Sequence, residues 1–187
     1  IIPDDLQPFM PMLRDLQDVA QILKQMRLRR GAINFDFPEY KIILDEEGQP
    51  LRLEKRERTI AEQIVEECML IANETVAAYL RDSENPAVYR AHETPEPERL
   101  EMMRTVLASF DLPVPSGDDV KPADFQKLLK QSKGTSAELV VQTIALRSMQ
   151  QARYSTNNAG HFGLASECYT HFTSPIRRYP DLMVHRL

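Results

Sequence analysis

The segment Tyr169-Thr170-His171-Phe172-Thr173-Ser174-Pro175-Ile176-Arg177-Arg178-Tyr179-Pro180-Asp181 gathers hydroxyls, rings and two adjacent guanidiniums in a short span. Thr173 and Ser174 can satisfy free backbone donors ahead of a turn, and Pro175 fixes the φ that follows. Pro180 suits the first turn of an amphipathic helix over 181–187. Arg177 and Arg178 then project from the approach to a helix N-terminus, where backbone N–H groups and the dipole favour an anion. One reading is a corner that holds a phosphate. The other is an ordinary helix cap with two solvated arginines.

Residues 147–187 carry five Arg, no Lys and only two acids, a local charge of +3 inside a chain whose net charge is −5. Three of the four His fall in the same stretch, among Tyr154, Phe162, Tyr169 and Phe172. Arginine offers a planar fork of fixed donors that suits bidentate contact with phosphate or carboxylate. Arginine interleaved with rings is the chemistry of single-stranded nucleic acid binding, in which phosphates pair and bases stack. Chance clustering, with these arginines paired to acids of the core, would give the same composition.

The elements that position this segment are readable upstream. With 187 residues, 42% of them hydrophobic and 27% charged, the chain has the composition of a soluble globular domain. No stretch reaches the ~20 apolar residues of a membrane span, and the first residues lack a signal-peptide pattern. Cys68 and Cys168 offer neither a disulfide framework nor metal-ligand spacing, so a reducing cytoplasm is the expected compartment.

Leu13, Leu16, Val19, Ile22, Leu23 and Met26 recur at steps of three and four, predicting a helix over 11–30 that Gly31 stops. Two β-type runs follow, 32–37 and 40–44, broken by Pro38. Turn chemistry at Asp45-Glu46-Glu47-Gly48 and an alternating strand at 51–53 complete a small antiparallel unit. A long helix is predicted from Thr59 to about Asp82, with Ile60, Ile64, Cys68, Ile71, Thr75, Val76 and Tyr79 as its core face. Shorter helices are expected at 97–110, 122–132 and 136–151, the first two opened by Pro97 and Pro122. The connector from Asp111 to Val120 reads as a surface loop. Beyond Gln151 the helical period is lost, with a turn at 157–160 and a short strand at Gly163-Leu164-Ala165. The fold class is α+β: a long central helix with shorter helices packed on a partly antiparallel sheet.

The C-terminal segment, with Ala159-Gly160-His161-Phe162-Gly163-Leu164-Ala165 before it, resembles the catalytic RNB domain of the ribonuclease II and ribonuclease R family, nearer its ribonuclease R branch. Ile64-Val65-Glu66-Glu67-Cys68-Met69-Leu70-Ile71-Ala72-Asn73-Glu74 is similar to that family's long-helix motif. Arg30-Gly31-Ala32-Ile33-Asn34-Phe35-Asp36 is similar to the segment just upstream of it. The three matches stand in family order and span most of the chain. They imply one partial RNB domain over 1–187, cut at both ends.

The resemblance implies a 3′-to-5′ exoribonuclease that hydrolyses single-stranded RNA to nucleoside 5′-monophosphates by in-line attack of water. In such an enzyme Mg²⁺, held by clustered aspartates, stabilises the attacking and leaving oxygens. By position, Arg177 is the arginine that neutralises the scissile phosphate. Glu66, with Glu67 as rival, matches the glutamate that contacts the RNA end, and Phe35 matches a ring that clamps terminal bases. Tyr169, Thr173, Ser174 and Arg178 complete the expected RNA-binding wall. The aspartate motif itself has no counterpart here. Neither Asp4-Asp5 nor Asp15 with Asp18 reproduces it, so the Mg²⁺ ligands are expected upstream of Ile1 and none is assigned within the chain. Single-stranded RNA is the expected partner, with no membrane and no obligate protein partner. Two alternatives stand beside this one: a metal-free RNB relative that grips RNA without cutting, and a helical domain whose Arg-rich end binds an acidic protein surface.

Overall fold

The computed structural model describes residues 4–110, 112, 114, 117 and 119–187. Most of the connector from Asp111 onward, and the side chains of Asp4 and Asp5, lie outside what is described. Among the described residues the architecture is mixed: six α-helices and two separate two-stranded antiparallel sheets.

Helix α1 runs over Met10–Arg30, behind a 3-10 turn at Asp4–Phe9, and ends where Gly31 takes φ 102°. Its last carbonyls are satisfied by Gly31 N–H on Leu28 and Ala32 N–H on Arg27. A side chain at Gly31 would also stand 3.2 Å from Ala123 Cβ, so both backbone shape and close approach require glycine.

The run 32–37, expected as a strand, joins no sheet. Its backbone finds other partners: Ile33 N–H donates to the Gly163 carbonyl and Asp36 N–H to Gln142 Oε1. A true hairpin follows. Strand β1 (Glu39–Leu44) pairs with β2 (Pro50–Arg56), with Ile42 opposite Leu53. Asp45 Oδ1 closes the turn by accepting from Glu47 and Gln49 N–H. Tyr40, Ile42, Leu44, Leu51 and Leu53 of this hairpin are all exposed.

Helix α2 (Ile60–Asp82) opens on a capping box, with Glu62 N–H on Thr59 Oγ1 and Thr59 N–H on Glu62 Oε2. Its buried residues are Glu67, Leu70, Asn73, Ala77 and Leu80. The expected core face is therefore rotated: Ile60, Ile71 and Tyr79 are exposed. The cause is α1, which lies along a polar face of α2. Arg27 forms a two-pronged ion pair with Glu67 at 2.6 and 3.2 Å, both side chains buried. Arg30 reaches Glu74, and Lys24 reaches Gln63 at 3.3 Å.

The remaining elements are β3 (Tyr89–Ala91), α3 (Pro97–Leu107), α4 (Pro122–Ser132), α5 (Glu138–Ser148), β4 (Arg153–Ser155) and α6 (Tyr179–Val184). Strand β3 pairs antiparallel with β4. Pro97, Pro122 and Pro180 sit in first turns, as their fixed φ favours. The larger core joins α3, α4 and α5 through Leu100, Met103, Leu107, Phe125, Leu128, Val141 and Ala145. A second, formed by Ala77, Leu80, Ala87, Tyr89, Cys168 and Val184, ties the C-terminal half of α2 to the segment leading into α6. No helix among the described residues is long and apolar enough to cross a membrane.

The buried pair between α1 and α2 makes a direct test. Arg27→Met leaves the Glu67 carboxylate buried without its partner and should cost about 3 kcal/mol, whereas Arg27→Met with Glu67→Leu should recover most of that loss. Urea midpoints of the three proteins check it.

Candidate functional site

From Cys168 onward the chain has little regular structure, so each buried peptide group must find a partner elsewhere. Thr170, wholly buried, donates its hydroxyl to the Val88 carbonyl at 2.6 Å. Asn73 of α2, also wholly buried, accepts from Phe172 N–H at 3.0 Å and Thr173 N–H at 3.3 Å. Its amide donates to Tyr169 Oη at 2.9 Å. Ser174 N–H donates to Asp181 Oδ1 at 2.8 Å, and its carbonyl accepts from Arg177 and Arg178 N–H. The free donors before the turn are thus met by Asn73 and Asp181, not by the Thr173 and Ser174 hydroxyls. Side-chain carboxylate and carboxamide oxygens reach further than a hydroxyl.

The two arginines have different fates. Arg178 lies flat on Asp181, with Nη2 to Oδ1 at 2.7 Å and Nε to Oδ2 at 2.9 Å. Asp181 is wholly buried. Burial alone would raise its carboxyl pKa, but hydrogen bonds from Arg178 and Ser174 N–H, with the Arg178 charge, hold it below the usual range. Arg177 is exposed, and its Nε donates to Ser174 Oγ at 2.8 Å. Among the described residues it has no carboxylate partner, and Nη1 and Nη2 are free to meet an anion.

Tyr169, expected on the wall, is only 5% exposed and has its hydroxyl bonded to Asn73. It backs the wall from inside because its ring is packed between imidazoles. That packing is part of a chain of rings: His92 to His161 at 4.9 Å, His161 to Tyr169 at 5.2 Å, Tyr169 to His171 at 5.8 Å and His171 to Tyr154 at 5.6 Å. Tyr154 Oη lies 2.7 Å from His171 Nδ1, and Arg90 stands 4.9 Å over the Tyr154 ring. His92 Nδ1 accepts from Gly163 N–H and His161 Nδ1 from Leu164 N–H, so both imidazoles are neutral. A Cβ at Gly163 would come within 3.1 Å of His92 Nδ1. Residues 162–164 accordingly form a 3-10 turn around His92, not the strand expected at Gly163-Leu164-Ala165.

Of the two helix glutamates, Glu67 is occupied by Arg27 in the buried pair. Glu66 is half-buried and meets Arg58 at 2.9 Å. It lies seven residues before Asn73, two turns along the same helix, about 10.5 Å at 1.5 Å per residue. Phe35 is half-buried and stacks on Phe37 with centroids 5.8 Å apart. It shares a cavity of about 620 Å³ with His92, Arg147 and His161. Thr173, Ser174, Arg177 and Arg178 are thus gathered on one turn with Tyr169 beneath them, while Phe35 stands toward the opposite end of the ring chain. Asn73 and Asp181 were not singled out from sequence. The signals were an Asn inside an otherwise apolar helical run, and an acid three residues after Arg178.

Asp15 and Asp18 are exposed on α1. No group of three or more His, Cys, Asp or Glu that could hold a metal ion occurs among the described residues.

Burial pushes His161 down to about 3, helped by His92, and His171 down to about 4, helped by Arg178. Unfolded histidine titrates near 6.5, so below that pH the unfolded chain takes up protons that the folded chain refuses. Stability should therefore be full above about pH 6.5 and decline steadily toward about pH 4. His161→Asn, which keeps an acceptor near Nδ1 and cannot titrate, should flatten the decline. Thermal midpoints across that pH range check both statements.

The RNB domain family profile matches residues 4–187. Ribonuclease R 1 of Lactococcus lactis subsp. lactis (strain IL1403) is 51% identical over 171 residues, covering 91% of this chain and 21% of that protein. The apo form of Mycoplasma genitalium RNase R superposes with a TM-score of 0.88 at 30% identity, covering 95% of this chain and 28% of that one. The same enzyme in complex with ribose-methylated single-stranded RNA gives the same values. The chain thus spans 21% of that Lactococcus protein and 28% of the Mycoplasma one. With its profile match running from Asp4 to the last residue and its backbone following that of RNase R, this chain belongs to the RNB domain family.

Proposed function

We propose that this chain is the phosphate-gripping and RNA-end-gripping part of a 3′-to-5′ exoribonuclease that releases nucleoside 5′-monophosphates from single-stranded RNA. One observation carries this reading: among the described residues Arg177 keeps both terminal guanidinium nitrogens free, on a turn preceded by the Phe172, Thr173 and Ser174 N–H groups that Asn73 and Asp181 hold. A cation fixed in advance where negative charge grows on a scissile phosphate needs no reorganisation during reaction. Ser174 Oγ accepts from Nε, and the two terminal nitrogens are the proposed donors to a phosphodiester.

Arg178 supports this role from beneath, since its pair with Asp181 closes the turn that presents Arg177. Thr173, exposed on the same turn, is the proposed contact for the sugar-phosphate backbone. Glu66, half-exposed on α2, is the candidate contact for the RNA end, and Glu67 is withdrawn from that role by Arg27. Phe35, half-buried and stacked on Phe37, is the candidate ring for base stacking. The Mg²⁺ expected from the family finds no ligand set among the described residues. What is assigned here is therefore binding, orientation and charge neutralisation.

The test uses the gene product that carries this chain, with single-stranded oligo-A and added Mg²⁺. Mononucleotide release is expected, and Arg177→Ala should slow it by roughly 100-fold, the scale of losing one preorganised donor, with an unchanged circular dichroism spectrum. RNA affinity that falls with salt, without product under any divalent ion, would instead establish a non-catalytic RNA-binding relative. Undiminished turnover in Arg177→Ala would remove the role assigned to that side chain.

A further inference from the structure

We infer that Asn73 is a positioning residue that sets where Arg177 meets the phosphate, an inference that rests on the reading of Arg177 given above. Asparagine is a poor choice for a helix interior and costly to bury unless its polar atoms are met. Here they are met by one stretch of chain. Oδ1 accepts from the N–H groups of Phe172 and Thr173, and Nδ2 donates to the hydroxyl oxygen of Tyr169. A leucine at this point would fill similar space and strand two peptide donors and a phenol.

The three bonds hold residues 169–173 against α2. The next residue, Ser174, is held by Asp181, and its hydroxyl receives Arg177 Nε. From α2 to the guanidinium the linkage is therefore continuous: Asn73, the peptide groups of Phe172 and Thr173, Ser174, Arg177. Because Glu66 stands two turns earlier on the same helix, α2 sets the spacing between the RNA-end contact and the phosphate contact. Asn73 touches neither substrate nor reacting atoms in this scheme. It acts through Arg177 alone.

A double-mutant cycle tests that dependence. Asn73→Ala, Arg177→Ala and the double variant are made in the gene product that carries this chain and compared in single-turnover and steady-state hydrolysis of oligo-A. Asn73→Ala should lower the single-turnover rate by roughly 10- to 100-fold, the scale of an ångström's misplacement, while KM changes little. In the Arg177→Ala background it should change the rate by less than about twofold, because the residue it positions is gone. Asn73→Asp keeps the acceptor for both N–H groups and should recover part of the rate.

Equal losses in both backgrounds, or no loss in the first, overturn the proposal. If Asn73→Ala does not fold, Tyr169→Phe removes one of the three bonds, and its smaller rate loss must likewise vanish beside Arg177→Ala. If the unsubstituted protein releases no mononucleotide, the exoribonuclease reading fails. The same cycle read in Kd for fluorescent oligo-A then decides on Asn73 alone, with coupling to Arg177 sustaining it and independence ending it.

Discussion

Three consecutive peptide N–H groups, at Phe172, Thr173 and Ser174, run where neither helix nor strand can satisfy them, and the site depends on how they are answered. Two wholly buried side chains from opposite directions do it, Asn73 from α2 and Asp181 from α6. Irregular backbone is ordinarily the most mobile part of a fold. Fastened in this way, it has its N–H groups held by residues of two helices and presents a charged side chain from the turn that follows.

The same arrangement separates two adjacent, chemically identical residues. Arg178 is directed inward and its charge is matched by Asp181 at 2.7 Å, so it contributes to closing the turn. Arg177, one position earlier, is exposed and has no carboxylate partner among the described residues. An exposed cation without a carboxylate beside it is of little use to stability and well suited to an anion, and this asymmetry supports the proposed phosphate contact more than the local count of arginines does.

Features that depend on local chemistry were legible in the sequence. Gly31 after a basic run marks a helix end because only glycine takes that φ cheaply, and Thr59 with Glu62 marks a start because each answers the other's N–H. Pro97 and Pro122 mark first turns for the same kind of reason. Features that depend on a neighbour were not legible. The buried face of α2 includes Glu67 because Arg27 lies against it, and Asn73 because the chain after Tyr169 lies against it, which no periodicity within α2 reveals. The run after Gly31 looks like a strand but finds Gly163 and Gln142 in place of a ladder. Tyr169 belongs to the motif by sequence and to the interior by structure, since its surroundings come from α2 and the ring chain. Glu66 and Glu67 look alike within the helix, and their different surroundings, a pair with Arg58 for one and a buried pair with Arg27 for the other, come from other segments.

The chain has no Trp and six Tyr, of which Tyr89 and Tyr169 are buried. Absorbance and emission in the near ultraviolet therefore come from phenols, and one of the two enclosed phenols is bonded to the residue that fastens the arginine turn. The molecule accordingly carries an intrinsic optical probe at its working corner, one that registers loosening of that corner without any attached dye.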